Sequence, residues 1–371
     1  MQRLFFLPLM CCVLLSVAVQ GQNDRGLYQL SDFYSDNLEL QKQVDLIFKQ
    51  LKPEQRVGQM IVTSLGRLGK PMTVVEPLVQ QRLVGGVIFL SGDPAEFKQH
   101  IRALGDLSIG YPLLMSMDAE PSLFNRRLPG TPEMPPTNEL KTVEQIEAAV
   151  RIIDSTLIDV GFRHNFAPVI DVSPNNEAIG NRTLGGDSAT IVPLANAFIR
   201  KTQSDQIVAT AKHFPGHGRV SGDTHKKLVY IDGELTEVSL YKPVIQAGVL
   251  SIMVAHIAIE NNKKYATGGM PSTMSPLIVS GLLREELGFQ GLIVTDAMNM
   301  GAVVEIPNST LLAAKAGCDI ILMPPDEVGT ISSIINEMAK DPAFKNQIEA
   351  SVKRVIRMKL CLGMVFGPSI D

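Results

Sequence analysis

Eight short apolar runs alternate with segments of helical periodicity along this chain, and the alternation constrains its fold more than any other feature. Each run has the length of a strand and is nearly continuously apolar, which is typical of parallel strands covered on both faces. The runs span residues 59–65, 84–90, 113–117, 166–172, 209–214, 252–259, 292–295 and 319–323. Eight successive βα units predict an α/β fold, a single TIM-like (β/α)8 barrel, with a doubly wound open sheet as the alternative.

The segments between the runs carry helix start and stop signals. Thr142 with Gln145 three residues later predicts a capping box, and Gly161 predicts the end of the helix that begins there. We predict helices over residues 96–104, 143–160, 189–201, 235–247, 276–287, 311–316 and 328–339. A last helix, 346–362, is basic along one side and is expected to pack on the outside of the barrel. We expect residues 22–371 to form one catalytic domain.

Chemically active side chains stand at the ends of several predicted strands. The carboxyl ends of the strands of a barrel form one rim, and barrel enzymes carry their chemistry there. The rim positions are Asp118, Glu120, Asp171, Lys212, His213, His256 and Asp296. One polar residue at a strand end is common because such ends are exposed to solvent, but this whole set indicates an active site.

The densest of these positions is the segment 212–218, Lys-His-Phe-Pro-Gly-His-Gly, which Asp223-Thr224-His225 follows closely. Its prolines and glycines exclude a helix. In an extended loop, residues two apart face the same way, so Asp223 can bind one imidazole nitrogen of His225 and leave the other free. A histidine so placed suits general acid/base work, whereas the simpler interpretation is an Asx turn in a solvated loop.

Asp296 follows the predicted strand 292–295 and should point into the mouth of the barrel. A carboxylate in that place can attack an anomeric carbon, as the nucleophile of a retaining glycosidase does. Such a reaction also needs a proton donor for the leaving oxygen, which Asp223 and His225 together can supply. The combination predicts glycoside chemistry.

Metal binding is the competing chemistry for the same atoms. His213, His217, Asp223 and His225 include the ligand types of a zinc hydrolase. The spacing of His213 and His217 would bring them together on a helix, which Pro215 and the neighbouring glycines exclude. Neither a phosphate-binding Walker sequence nor a Gly-x-Ser-x-Gly elbow occurs in the chain.

The amino terminus predicts export. Residues 4–19 are almost wholly apolar after Arg3, which is typical of a secretory signal peptide over 1–21 and leads us to expect a periplasmic or secreted protein. Cys11 and Cys12 raise the alternative of a lipoprotein anchor, but Met10 stands where a small residue is expected. Cys318 and Cys361 are the remaining cysteines, and we expect two buried thiols, with one disulfide as the alternative.

Charge and hydropathy bear on the partners. The net charge is −4 and no long basic run occurs, so nucleic acid is an unexpected partner. After the signal peptide no second apolar segment is long enough to cross a membrane. We expect a monomer that acts on a small substrate.

The sequence resembles the bacterial β-N-acetylglucosaminidases of glycoside hydrolase family 3. The resemblance rests on the Lys212–Gly218 motif, on Asp223-Thr224-His225, and on Val-Thr-Asp-Ala-Met at 294–298. Supporting matches occur at 57–60, 85–88, 118–120, 165–172 and 181–185, so they extend over most of the chain. The resemblance implies an exo-acting, retaining β-N-acetylhexosaminidase on a TIM-like barrel, which removes terminal N-acetylglucosamine from peptidoglycan fragments or related glycosides.

The resemblance also implies a role for each matching residue. Asp296 would be the nucleophile and His225 the acid/base, with Asp223 orienting the imidazole and His217 supporting their loop. The residues that would hold the terminal sugar are Asp118, Arg126, Arg182, Lys212 and His213. No metal and no organic cofactor is expected.

Two features place the chain within that family. The β-glucosidases of the family take their acid/base from a second domain and lack the Asp-x-His loop, so the loop at 223–225 favours the N-acetylhexosaminidase branch. The chain has no Trp and few aromatic residues, so we expect a small substrate bound end-on, such as a muropeptide-like glycoside, rather than a stacked polysaccharide. A histidine acid/base does not repel phosphate, so the sequence leaves hydrolysis and phosphorolysis both open.

The chain departs from the family after Asp118-Ala119-Glu120. A Gly-rich segment is usual there, whereas this chain has Pro121-Ser122-Leu123-Phe124-Asn125. Proline fixes φ and removes a donor, so we expect this segment to be reshaped, with Arg126 displaced or Arg127 in its place. The departure also leaves open a secreted sugar-binding protein that has lost turnover.

Overall fold

The computed structural model describes residues 27–172, 178–220 and 222–367 of the chain. The predicted signal peptide, residues 1–21, lies outside the described residues, as do Cys11 and Cys12.

Eight parallel strands form a barrel. The strands of the described residues are β1 (Ile61–Leu65), β2 (Gly86–Phe89), β3 (Leu114–Met117), β4 (His164–Asn165), β5 (Val208–Phe214), β6 (Val229–Asp232), β7 (Ser251–Val254), β8 (Ile257–Glu260), β9 (Leu292–Thr295) and β10 (Ile321–Leu322). The large sheet has the order β10-β1-β2-β3-β4-β5-β7-β9. Val294 of β9 pairs with Ile320 just before β10, so the two edges meet. The predicted TIM-like barrel is confirmed, and the open-sheet alternative is wrong.

Helices surround the barrel. They are α1 (Leu38–Gln50), α2 (Pro53–Gly58), α3 (Met72–Gln80), α4 (Pro94–Leu107), α5 (Pro121–Arg127), α6 (Val143–Val160), α7 (Ser188–Ser204), α8 (Tyr241–Gln246), α9 (Ser309–Ala316), α10 (Glu327–Met338) and α11 (Pro342–Cys361). A π-helix spans Leu277–Glu286, and single 3₁₀ turns occur at Leu30–Asp32, Thr137–Glu139, Gly180–Arg182, Thr236–Leu240 and Ser272–Met274. The sequence analysis missed α1, α2, α3 and α5.

Helix α6 shows how local sequence sets an element. The Thr142 hydroxyl accepts from the Gln145 amide at 3.3 Å, and the Gln145 side chain accepts from the Thr142 amide at 3.2 Å. Gly161 ends the helix with a φ of 115°, a conformation that glycine adopts without strain. The predicted capping box and the predicted helix bounds are both confirmed.

Two predicted strands were placed wrongly. The fourth strand is His164–Asn165 and not 166–172, because Pro168 has no amide hydrogen and interrupts the regular ladder, which resumes only as a bridge between Val169 and Lys212. The run 252–259 is two strands, since β7 belongs to the barrel whereas β8 pairs with β6 in a separate parallel sheet. His256 lies at the break, where its ring bonds the Thr273 hydroxyl and the Ala297 carbonyl.

Helix α11 packs against α1, α2 and α10 on the outside of the barrel, as the sequence predicts. Its Lys359 is an exception to the expected basic face, because this side chain is fully buried. The ammonium donates to the carbonyls of Gly85 and Pro112, each at 2.7 Å. Both carbonyls precede barrel strands, so Lys359 closes the end of the barrel opposite the predicted active-site rim.

Two predictions about the rest of the chain are also resolved. Cys318 and Cys361 are free, buried thiols, as expected. In the described part of the chain, no helix combines the length and the apolar character that a membrane span requires.

Asp154 of α6 makes stability depend on pH. It is 1 % exposed, and burial, together with the charge of Asp205, raises its pKa to about 8. A raised carboxyl pKa stabilises the fold at low pH, and this contribution is lost as the pH rises through 8. We expect Asp154→Asn to flatten the dependence of unfolding free energy on pH between the ordinary pKa of 3.8 and 8, and to stabilise the protein at the upper end by about 1 to 3 kcal/mol.

Chemical denaturation at several pH values measures this effect. Asp106→Asn, on the exposed face of α4, is the control and should keep the wild-type pH dependence. An unchanged pH dependence in Asp154→Asn would show that Asp154 does not titrate with folding.

Candidate active site

Five charged side chains meet at the carboxyl ends of β3 and β5. Asp118 follows β3 directly, and the Lys212 ammonium lies 2.8 Å from its Oδ1 and 3.2 Å from Oε1 of Glu120. Arg182 donates to both carboxylate oxygens of Glu120, at 2.9 and 2.8 Å. Arg127 Nη2 lies 3.1 Å from Oδ2 of Asp118. Three cations and two anions therefore form one connected network.

This network keeps its carboxylates ionised. Burial raises the pKa of Asp118, but the charges of Lys212 and Arg127 outweigh burial and hold that pKa well below its ordinary value. Burial likewise raises the pKa of Glu120, and Arg182 with Lys212 brings it below the ordinary value. Because each carboxylate stays charged, the network presents fixed donors and acceptors to the space in front of it.

The β3 turn is also fixed from the neighbouring strand. Asn165, the last residue of β4, accepts from the Ala119 amide at 2.9 Å and donates to the Ala119 carbonyl at 3.2 Å. Ala119 lies between Asp118 and Glu120, so this pair of bonds sets the direction of both carboxylates. The predicted rim positions of Asp118 and Glu120 thus lie on a rigid support.

Asp171 organises the histidines that begin the His-rich segment. Its carboxylate accepts from His213 Nδ1 at 2.6 Å and from the His217 amide at 2.7 Å. Burial raises its pKa, but the facing imidazole of His213 and these donors bring the pKa below the ordinary value. With Nδ1 bound to Asp171, Nε2 is the nitrogen of His213 that can meet a ligand. Both Lys212 and His213 lie within β5, near its carboxyl end, and the strand ends at Phe214 as the predicted run 209–214 does.

The predicted contact between Asp223 and His225 is present. Asp223 Oδ1 lies 2.7 Å from His225 Nδ1 and accepts from the His225 amide at 2.9 Å. The His225 side chain is 64 % exposed and that of Asp223 is 18 % exposed. Burial raises the pKa of Asp223, but its hydrogen bonds with His225 lower it below the ordinary value. Nδ1 is therefore held by a carboxylate, and Nε2 is left to exchange a proton.

Three further contacts place this pair. Thr224, between the two residues, bonds His217 Nε2 through its hydroxyl at 3.1 Å. From the loop after β9, the Gly301 amide donates to the His225 carbonyl at 3.2 Å and the Ala302 amide donates to the Thr224 carbonyl at 3.3 Å. The loop of Asp223 and His225 is thus bonded to the loop that follows Asp296.

Asp296 follows β9 directly. Its Oδ1 accepts from the Ala297 amide at 2.8 Å. Burial raises its pKa, whereas His256, His213 and that amide lower it, and the net pKa lies below the ordinary value. His256 donates Nε2–H to the Ala297 carbonyl at 3.0 Å, and burial lowers the pKa of His256. The His256 ring therefore fixes the turn in which Asp296 stands.

A single cavity of about 790 Å³ brings the predicted residues together. Its polar walls are formed by Asp118, Arg126, Arg127, Arg182, Lys212, His213, Asp223, His225 and Asp296. His217 lies behind the wall and reaches the site through Thr224 and Asp171. The cavity thus holds a carboxylate on a strand end, a carboxylate–imidazole pair on a loop and a fixed charged network.

The departure at Pro121 appears as a short helix. Pro121 is the first residue of α5, where its missing amide hydrogen costs nothing. Arg126 stands exposed at the cavity wall, and Arg127 makes the contact with Asp118 and also donates to the Leu90 carbonyl at 2.8 Å. Between the two alternatives for this segment, the structure gives Arg127 the contact with the charged network.

Among the residues that the structure describes, no three His, Cys, Asp or Glu side chains are grouped so that they could bind a metal ion. The metal alternative therefore has no ligand set in this part of the chain. One nitrogen of each of the two histidines concerned has another partner. His213 Nδ1 is bound to Asp171, and His217 Nε2 to Thr224.

Several residues of the site were missing from the sequence prediction. Asn165 and Gly301 act through backbone contacts, and Glu237, far along the chain, accepts from amides of the His-rich segment. A glycine three residues after the motif at 294–298 was the available signal for Gly301. Nothing in the local sequence around Glu237 marks it, because its contacts are long-range.

Comparison with known proteins agrees with this geometry. Residues 53–358 match the model of the glycosyl hydrolase family 3 N-terminal domain. A protein of Vibrio cholerae serotype O1 named β-hexosaminidase is 32 % identical over 262 residues, which cover 66 % of this chain and 77 % of that protein. A β-hexosaminidase of Glaesserella parasuis is 27 % identical over 295 residues, covering 75 % of this chain and 85 % of that protein.

Two solved structures are similar over most of the chain. The family 3 β-N-acetylglucosaminidase of Paenibacillus sp. aligns with a TM-score of 0.76 at 27 % identity, over 86 % of this chain and 64 % of that one. The chain therefore spans less than two thirds of the Paenibacillus protein. The β-N-acetylhexosaminidase of Beutenbergia cavernae aligns with a TM-score of 0.72 at 28 % identity, over 82 % of this chain and 97 % of that one. A barrel whose rim carries this charged network, matched by the family model over most of its length, belongs to glycoside hydrolase family 3.

Proposed function

We propose that this protein is an exo-acting, retaining β-N-acetylhexosaminidase that releases terminal N-acetylglucosamine. The observation that carries the proposal is the meeting of Asp296 and the Asp223–His225 pair in one cavity, beside a fixed set of sugar-binding groups. The names of the relatives from Vibrio cholerae and Beutenbergia cavernae support the same activity.

The first chemical step forms a glycosyl-enzyme. Asp296, ionised because its pKa is lowered, attacks the anomeric carbon while the bond to the aglycone oxygen breaks. The electron pair of that bond moves to the aglycone oxygen, which takes the proton of His225 Nε2. Asp223, bound to Nδ1 at 2.7 Å, stabilises the charged imidazole before the transfer.

The second step uses the same groups in reverse. Water gives its proton to His225 and attacks the anomeric carbon, and the bond to Asp296 breaks with its electrons returning to the carboxylate. Two inversions at the anomeric carbon retain its configuration. All protons and charges return to their starting places, so no further reactant is needed.

The charged network holds the sugar. Lys212 and Arg182 offer N–H groups, Asp118 offers carboxylate oxygens, and His213 offers Nε2, all at the wall of the same cavity. Alternating donors and acceptors of this kind match neighbouring sugar hydroxyls. The cavity is walled by α5, by residues 178–182, by the loop of Asp223 and His225 and by the loop after β9. A site with walls on these sides suits the end of a glycan chain, which supports exo action.

Peptidoglycan-derived glycosides are the substrates that we propose, and the apolar leader over residues 1–21 supports an exported enzyme that meets them outside the cytoplasm. Among the residues that the structure describes, no Phe, Tyr or Trp lines the cavity. Without a stacking platform, a small glycoside fits better than a long polysaccharide.

Turnover of 4-nitrophenyl N-acetyl-β-glucosaminide by the purified protein tests the function. We expect release of 4-nitrophenol, with the corresponding β-glucoside turned over at least about 10-fold more slowly. Proton NMR should show the β-anomer of N-acetylglucosamine as the first product. Tight sugar binding without release would refute the enzyme, and the α-anomer as first product would refute retention. Free sugar, rather than sugar 1-phosphate, is expected in phosphate buffer.

Gly301 gives a test of how the acid/base is placed. A methyl group at Gly301 would lie 2.7 Å from the Lys226 carbonyl and 2.9 Å from the His225 carbonyl, and these backbone atoms cannot give way without moving the loop. We expect Gly301→Ala to lower kcat by about 10- to 100-fold with little change in KM. Gly130→Ala, whose added methyl has open space, is a surface control, although its φ of 82° adds local strain. Unaltered kcat in Gly301→Ala would contradict the proposed placement.

A further inference from the structure

Glu237 is a buried carboxylate that takes no part in the chemistry described so far. It lies in the 3₁₀ turn Thr236–Leu240 and is 5 % exposed. One carboxylate oxygen accepts from the Val172 amide at 2.9 Å and from the Gly218 amide at 3.4 Å, and the other accepts from the Arg219 amide at 3.2 Å. Glu237 therefore joins the segment after β4 to the loop after β5.

The loop is shaped to lie against this side chain. Gly216 has a φ of 134°, and a methyl group there would lie 2.5 Å from Cβ of Glu237. Only glycine permits both this conformation and this approach. Sugar binding does not explain a glycine at position 216, whereas contact with Glu237 does.

A second buried carboxylate continues the same pattern. Asp171 accepts from the His213 and His217 amides, at 3.2 and 2.7 Å. The amides of His217, Gly218 and Arg219 are consecutive, and they are divided between Asp171 and Glu237. The charge of Asp171, added to burial, raises the pKa of Glu237 to about 7. Two neighbouring carboxylates in the interior are costly, which is typical of groups kept for function rather than for stability.

The bonded loop leads directly to the acid/base. Residue 217 is next to the amides that Glu237 holds, and its imidazole bonds Thr224, which stands between Asp223 and His225. A shift of the loop at residues 218 and 219 would therefore move His225. The sugar-holding residues are fixed by other bonds, Lys212 by Asp118 and Glu120, and Arg182 by Glu120.

We propose that Glu237 is a positioning residue for the acid/base: its carboxylate holds the amides of Gly218 and Arg219 and thereby sets the position from which His225 gives its proton to the leaving oxygen. This inference rests on the proposed function, because it requires His225 to be the proton donor. Glu237 itself does not touch the substrate.

Dependence on the leaving group tests the inference. We compare Glu237→Gln with wild type on two substrates, one with a 2,4-dinitrophenyl aglycone that leaves without a proton and one with a 4-methoxyphenyl aglycone that needs one. The amide keeps the size of the side chain and one acceptor oxygen, but it replaces the other oxygen with an NH2 group that faces a backbone N–H. We expect kcat/KM to fall by about 10- to 100-fold on the methoxyphenyl substrate, and by less than about 3-fold on the dinitrophenyl substrate. KM for the methoxyphenyl substrate should be nearly unchanged.

Three further variants separate the possible outcomes. Glu234→Gln, the same exchange on the exposed surface three residues earlier, should behave as wild type. His225→Ala should show the same leaving-group dependence as Glu237→Gln, and more strongly. Glu237→Asp keeps the charge on a shorter side chain and should show a weaker leaving-group dependence than Glu237→Gln. This variant keeps the inference testable if Glu237→Gln folds poorly.

If His225→Ala shows no leaving-group dependence, the proposed function is wrong. If His225→Ala shows it but both Glu237 variants lose the same factor on both substrates, Glu237 has only a structural role and the inference is overturned.

Discussion

Replacing Asp296 with alanine is expected to lower kcat/KM by about 10⁴-fold or more, because the variant has no group to form the glycosyl-enzyme. Within the described residues, the Asp296 carboxylate accepts a hydrogen bond from the Ala297 amide and is not part of the charged network, so the fold should remain intact. Melting curves of the variant and of the surface control Asp106→Ala should therefore agree with that of the wild type within a few degrees. The assay is release of 4-nitrophenol from its N-acetyl-β-glucosaminide.

Azide makes this prediction specific to the nucleophile. In Asp296→Ala, azide can enter from the face that the carboxylate has vacated, and the product should be the α-glycosyl azide. In His225→Ala, the glycosyl-enzyme still forms with an activated substrate, and azide should give the β-glycosyl azide. Substantial turnover by Asp296→Ala without azide, or β-azide from it, would assign the nucleophile to another residue.

Exchange of Glu120 for glutamine is expected to have the largest effect on stability. Glu120 is 1 % exposed, accepts hydrogen bonds from Arg182 and forms an ion pair with Lys212. Its loss leaves the buried Lys212 and the partly exposed Arg127 and Arg182 facing the single carboxylate of Asp118, and removal of one partner from a buried ion pair costs about 3 to 5 kcal/mol. Denaturation at neutral pH should show this loss of unfolding free energy. KM should also rise, because Arg182 and Lys212 are no longer held in place.

The pH dependence of this loss checks its cause. The pKa of Glu120 is lowered in the fold, so its contribution is present above the ordinary pKa of 4.5 and disappears as the pH falls through the folded value. The difference between wild type and Glu120→Gln should therefore shrink below pH 4.5. Glu234→Gln is the exposed control and should show no loss. A difference that stays constant into strong acid would mean that the cost arises from packing rather than charge.

Much of the barrel follows from the alternation of apolar runs. The runs 209–214 and 292–295 lie in strands β5 and β9, as expected of parallel strands covered on both faces, which are mostly apolar. The run 166–172 is equally apolar and is not the fourth strand. Pro168, which has no amide hydrogen, interrupts the regular ladder there, and pairing with β5 resumes only as a bridge between Val169 and Lys212. The actual strand contains two polar residues, His164, whose Nε2 bonds the Thr210 hydroxyl, and Asn165, whose side chain bonds Ala119. Apolar character indicates that a segment is buried. Whether a buried segment is a strand depends on its backbone hydrogen bonds with neighbouring strands.

The residues that perform the proposed chemistry were predictable from the sequence, because the chemistry demands particular residue types. The residues that only hold those side chains in place were not. Asp296, Asp223 and His225 are marked by their place at strand ends and by spacing. The choice between Arg126 and Arg127 depends on where α5 begins, and Pro121 sets that point as the first residue of the helix. Glu237 acts on amides far along the chain, and such long-range contacts leave no local pattern.

The central claim is a covalent intermediate on Asp296, and mapping a trapped intermediate tests it most directly. A 5-fluoro-N-acetylglucosaminyl fluoride reacts quickly at the first step and slowly at the second, so the glycosyl-enzyme should accumulate. Mass spectrometry of the intact protein should then show the addition of one fluorosugar, and peptide mapping should place it on Asp296. The native mass of the protein should return once the intermediate is hydrolysed. A label on any other side chain, or steady turnover of the good substrate with no trapped species, would contradict the account.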